Sequence, residues 1–139
     1  MTQSDAPMIP DLQSSLLCDD VRQERNGKFI LIGLFDAIGV PKYPAGFQRL
    51  CMVNRWCCGF GEFTQQSRLL KPDGVSVLVQ GKPVPVKLPD SEATATCVEI
   101  FLNVKIEVPG TYWVEVLLDN ELKLRYPLKA AQIAPPPGQ

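Results

Sequence analysis

Cys18-Asp-Asp-Val-Arg-Gln-Glu-Arg-Asn-Gly-Lys-Phe-Ile-Leu-Ile-Gly-Leu-Phe-Asp-Ala-Ile38 is the stretch from which the fold class is read. Two extended runs flank Asn26-Gly27. Asn-Gly between such runs is the strongest short-range hairpin signal, because both central residues of a type I′ turn take φ > 0. The reading pairs roughly Leu16–Arg25 with Lys28–Ile38. The second run, Phe29-Ile-Leu-Ile-Gly-Leu-Phe35, is apolar on both faces, which predicts a central strand covered on both sides. With a two-residue turn, Asp19 stands opposite Leu34 and Leu17 opposite Asp36. Asp19 and Asp36 then become diagonal neighbours on one face, and Asp20 points to the other.

Strand signals continue outward from this hairpin. Phe47–Trp56 and Phe63–Leu70 are extended runs, the second with polar residues interleaved, and Gly59-Phe-Gly61 turns the chain between them. Lys71-Pro-Asp-Gly74 has the type I turn pattern, with Pro at i+1 and Gly at i+3. Val75–Gln80 is a short strand. Pro83, Pro85 and Pro89 make Gly81–Ser91 an edge segment or an ordered loop, and Val40–Gly46 reads as a loop for the same reason. Thr94–Val104 places Thr96, Val98, Ile100, Leu102 and Val104 on one face. The last hairpin turns at Asp119-Asn-Glu121. A three-residue loop pairs Leu118 with Leu122, Val116 with Leu124, Val114 with Tyr126, Tyr112 with Leu128 and, on the other face, an exposed Glu115 with Arg125. A one-residue slip would mix the faces. No window keeps helical periodicity free of Gly, Pro or β-branched interruption.

The expected fold is therefore all-β: a single antiparallel β-sandwich, Ig-like or C2-like, of about seven or eight strands. A jelly-roll order remains open. Residues 1–12 are expected to form a flexible N-terminal lead, 13–131 the sandwich and 132–139 a Pro-rich tail.

At 139 residues the chain is long enough to bury a core without a disulfide or metal staple. Its net charge of −1 gives no bulk attraction to nucleic acid or anionic membrane, so neither is an expected partner. No run approaches the ~18 apolar residues of a membrane span. The first ten residues lack a basic and an apolar signal region, so the expected compartment is the cytoplasm. The five cysteines, Cys18, Cys51, Cys57, Cys58 and Cys97, have no Cys-x-x-Cys spacing and read as small apolar strand residues. Histidine is absent. That removes the Ser-His and Cys-His nucleophile pairs and the commonest general base.

The segments Cys18-Asp-Asp-Val-Arg22, Asn26-Gly-Lys28 and Leu31-Ile-Gly-Leu34 resemble the opening of a family of short bacterial proteins of unknown function. Val53-Asn-Arg-Trp56, Gly61-Glu-Phe63, Lys71-Pro-Asp-Gly74 and Pro109-Gly-Thr-Tyr112 extend the similarity from about Leu16 to Lys129. The resemblance implies a single β-sandwich domain of bacterial origin and transfers no activity.

Three constellations carry candidate chemistry. Asp19, Asp20 and Asp36 are ligand-binding candidates, since paired carboxylates do acid–base work or supply oxygens to calcium. Arg49, Arg55, Arg68 and Lys71 lie near Trp56, Phe60 and Phe63, a mixture that stacks bases in nucleic-acid sites. Here it lacks any RNP-type motif and reads as a solvated face. Gly59-Phe-Gly-Glu-Phe63 has no following helix to hold a phosphate. No catalytic residue, metal site or cofactor is expected. The favoured function is a non-enzymatic protein–protein interaction or assembly module, able to self-associate, with Trp113, Arg55 and Trp56 as interaction residues. The competing reading is a small-ligand or metal-binding module on Asp19, Asp20 and Asp36.

Overall fold

In a computed structural model, residues 6–135 are described, and they form ten strands and no helix. The strands are β1 (Asp11–Gln23), β2 (Phe29–Phe35), β3 (Ala37–Val40), β4 (Ala45–Cys57) and β5 (Gly61–Leu70). They continue as β6 (Val77–Gln80), β7 (Val84–Leu88), β8 (Ala95–Ile106), β9 (Gly110–Leu118) and β10 (Glu121–Gln132). One sheet has four strands in the order β2-β1-β4-β8; the other has the order β3-β10-β9-β5-β6, with β7 also paired to β5. The two sheets pack face to face as an all-β sandwich of ten strands rather than seven or eight. All pairings are antiparallel except β3 with β10, which is parallel. Among the described residues no helix is long and apolar enough to cross a membrane. Residues 1–5 of the expected lead and 136–139 of the expected tail lie outside the described residues.

The core lies between the sheets. Leu17, Leu50, Met52 and Trp56 face Phe63, Leu69, Val114, Val116, Leu118 and Leu128, all buried. Apolar area removed from water is the main force holding such layers together, at ~25 cal/mol per Å².

The opening hairpin forms, but in another register. Asp20 pairs with Ile32 and Cys18 with Leu34, one residue away from the expected pairing. Glu24 N–H donates to the Lys28 carbonyl, so the loop is Arg25-Asn26-Gly27. Only Gly27 has positive φ, at 90°, and the Asn26 side chain accepts from Lys28 N–H. This is the three-residue turn that ends in a left-handed glycine, not a type I′ turn. β2 is also not a covered central strand. It is an edge, and Phe29, Ile30, Ile32 and Leu34 are 40–62% exposed.

β8 corrects a second expectation. Its core face is Cys97, Glu99 and Phe101, while Ile100 and Leu102 point outward. Asn103, at φ 55°, reverses the alternation, so Val104 and Ile106 return to the core. In the last hairpin Leu124–Val116, Arg125–Glu115, Tyr126–Val114 and Leu128–Tyr112 pair as expected. The turn itself differs. Asp119 and Asn120 both have positive φ and close a two-residue loop with Glu121 opposite Leu118. A bulge between Leu122 and Leu124 restores the apolar face.

Candidate functional site

The three acids do not converge. Asp20 lies on β1, where Oδ1 accepts from Arg49 Nη1 at 2.8 Å and Oδ2 from Arg22 Nε at 3.5 Å. The Arg49 hydrogen bond, helped by the Val21 N–H, holds the Asp20 carboxyl below the usual range. Asp19 lies over Gly33, and Asp36 sits exposed in the bend between β2 and β3. The diagonal Asp19–Asp36 pair disappears with the two-residue turn that generated it. Among the described residues no cluster of three His, Cys, Asp or Glu side chains could hold a metal ion.

The interaction candidates separate as well. Trp56 is fully buried, and its indole N–H donates to Gln65 Oε1 at 2.7 Å, so it is a core residue. Trp113 is half-buried beneath Arg125, whose guanidinium stands 4.8 Å from the ring centroid. Glu115, on the same face, is buried rather than exposed and accepts from Arg68 at 2.7 Å and Arg125 at 3.3 Å. Arg55 alone of the three stays open to solvent.

Arg55 borders a groove of about 640 Å³ on the outer face of the four-stranded sheet. Ser14 and Leu16 of β1, Val53 and Arg55 of β4, and Thr96 of β8 supply one side. The hairpin tip, Asn26 to Lys28, and then Phe29 and Leu31 supply the other. Ser14 and Asn26 are twelve positions apart. A straight strand rising ~3.3 Å per residue would separate them by roughly 40 Å. Their meeting at one groove shows that the β1–β2 arm folds back over its own sheet.

The bend has a local cause. Gly33 has φ 71° and faces Asp19, whose carboxylate occupies the space of a side chain at position 33. The β1–β2 ladder skips that pair, and β1–β4 pairing ends at Cys18–Cys51. Beyond the break Val21 and Leu31 pack down onto Cys18, Cys51 and Val53. Cys18 and Val21 are an odd number of residues apart yet share that cluster, so the alternation of faces is broken between them. Burial raises the thiol pKa of both Cys18 and Cys51, which keeps them protonated and apolar in behaviour.

Sequence reasoning missed a second cluster, inside the core. Asn54 and Trp56 on β4, Gln65 and Ser67 on β5, and Glu99 on β8 are all buried. Asn54 Nδ2 donates to Ser67 Oγ at 3.0 Å, and Gln65 Nε2 donates to Glu99 Oε2 at 2.8 Å. Among the described residues, Asn54 Oδ1 and Glu99 Oε1 find no hydrogen-bond partner. No cation among the described residues pairs with Glu99, and burial raises its pKa against the pull of Ser67 and Gln65. The signal was the polar run Thr64–Arg68 between Phe63 and Leu69, in which Gln65 and Ser67 share the strand face of those two apolar residues. Here it marks hydrogen bonding across the two sheets.

With this geometry in place, comparison with protein families gives a match over residues 13–131 to a family described as "Family of unknown function (DUF6941)". Comparison with curated proteins gives no match.

Proposed function

We propose, for a chain that belongs to this family of unknown function, that the protein is a non-enzymatic binding module acting by protein–protein contact in the cytoplasm. The observation behind this is the apolar edge of the four-stranded sheet. β2 carries Phe29, Ile30, Ile32 and Leu34 at 40–62% exposure and, among the described residues, has no strand on its far side. Natural edge strands are usually short, charged or interrupted by proline, because a long apolar edge pairs with other chains. An unprotected edge of this kind is the surface through which a partner, including a second copy, adds a strand or packs a face. The absence of histidine, and the engagement of Asp20 and Glu115 by arginines, support a role without catalysis.

Light scattering across a concentration series, together with purification from its native cytoplasm, tests this reading. We expect either self-association or a stoichiometric protein complex, weakened by Ile32→Glu and Leu34→Glu. A strict monomer with no stoichiometric partner would overturn it. The small-ligand or metal alternative is the weaker reading: Asp19 and Asp20 border an open cleft of about 580 Å³, but Arg49 already pairs with Asp20 there, and Asp36 lies outside it.

A further inference from the structure

We infer that the groove beneath the folded β1–β2 arm docks an acidic, apolar peptide segment of a partner protein. An apolar side chain of that segment packs against the exposed Leu16 and Phe29, and a neighbouring carboxylate pairs with Arg55 and Lys28. The inference rests on the protein-contact reading above and specifies the partner's chemistry.

Shape is the first support. The arm and the sheet present apolar surface to each other, with Phe29 and Leu31 opposite Leu16 and Val53. The volume of about 640 Å³ lies within the ~300–1,000 Å³ of ordinary binding clefts. Ser14, Asn26, Lys28, Arg55 and Thr96 share the lining with those apolar residues, so an entering segment meets both apolar surface and hydrogen-bonding groups, as in an ordinary protein interface.

Charge is the second. The chain has a net charge of −1, yet the groove is lined by two cations, Arg55 and Lys28, and by no Asp or Glu. Arg55 Nε donates to Thr96 Oγ1 at 3.2 Å, which orients the guanidinium. Among the described residues its two terminal nitrogens make no ion pair, and neither does Lys28. A planar guanidinium held at Nε offers its remaining N–H groups to a carboxylate in a fixed fork. Three other exposed arginines are engaged differently: Arg22 and Arg49 hold Asp20, and Arg125 holds Glu115, while the exposed Arg25 lies at the hairpin tip outside the groove lining. A nucleic-acid strand fits poorly. Two cations neutralise few phosphates, and the indole that would stack a base, Trp56, is buried.

A random-peptide display library screened against the full chain tests this, followed by fluorescence polarisation with the enriched peptides. We expect those peptides to carry Asp or Glu beside Leu, Ile or Phe. Arg55→Glu should weaken them about tenfold or more, Leu16→Glu should abolish binding, and added salt should weaken it. Lys42→Glu, outside the groove, should leave affinity unchanged, and circular dichroism confirms that each variant is folded. Enriched peptides without acids, or insensitive to Arg55→Glu, would overturn the groove while leaving the protein-contact reading standing. No binder at all, from a chain that is also a strict monomer with no stoichiometric partner, would overturn both.

Discussion

Gly33 and Asp19 occupy one another's space: a Cβ at position 33 would overlap the Asp19 carboxylate, and the φ of 71° at Gly33 is one that L side chains rarely adopt. The first prediction follows from that relationship. Gly33→Ala should destabilise the fold by about 1–2 kcal/mol from backbone strain alone. Adding Asp19→Ala removes the overlap but not the strain, so the double variant should recover only part of the loss. Urea denaturation of the two variants measures both parts. Equal stability of Gly33→Ala and the parent would show that this bend does not need glycine.

Glu115 sits between Arg68 and Arg125 with 5% of its side chain exposed, while the arginines keep about a third of theirs in water. Glu115→Ala leaves two guanidinium groups facing each other without their carboxylate. The expected cost is about 1–3 kcal/mol. Glu115→Gln should cost less, because the amide oxygen still accepts one hydrogen bond. Chemical denaturation at low and high salt checks this, and salt should narrow the gap between the variants.

The buried Glu99 predicts a pH dependence. Burial raises its pKa in the folded state. Folding therefore favours the neutral acid, so this contribution is fully present below the unfolded carboxyl pKa and is lost as pH rises through the folded value. Glu99→Gln mimics the neutral form and keeps an acceptor for Gln65. Its stability relative to the parent should be nearly unchanged near pH 4 and should improve toward pH 7. A relative stability that falls with pH would contradict the assignment.

The cysteines should differ in reactivity. Cys58 is exposed, whereas Cys18, Cys51 and Cys97 are buried, and burial pushes the Cys97 thiol up to about 11. A thiol reagent at neutral pH should label Cys58 fastest. The three buried thiols should react only at the rate of opening, and mass spectrometry of the labelled peptides resolves the order.

What the sequence made legible was mostly local. The Leu124–Val116 register was readable because a slip would have turned an apolar set toward water. The hairpin at Asn26-Gly27 was readable from turn chemistry, but not its loop length, since the same dipeptide serves both turns. That one residue of register removed the Asp19–Asp36 pair. β2 looked central because it is apolar on both faces. Period alone cannot distinguish burial between sheets from an edge strand folded back over its own sheet, as here. The core network was illegible for a related reason: period places Gln65 and Ser67 on the face of Phe63 and Leu69, but not the partners that Trp56, Asn54 and Glu99 supply across the sandwich. The groove could not be anticipated at all, because it depends on the break at Gly33 and Asp19.

The parallel pairing of β3 with β10 has a consequence for the order of assembly. Ile38 and Ala130 face each other in that ladder and are both buried, although they come from opposite ends of the domain. During synthesis β1, β2 and β4 can pair soon after they emerge, but β3 waits for the last strand of the domain. Contacts that close so long a loop form slowly. Until then the inner faces of Leu17, Leu50 and Met52 lack their opposite sheet, and the apolar β2 edge beside them is free to pair with a neighbouring nascent chain. Expression yield should therefore fall with the rate of synthesis more steeply than equilibrium stability alone would dictate, and slower translation at reduced temperature should recover it.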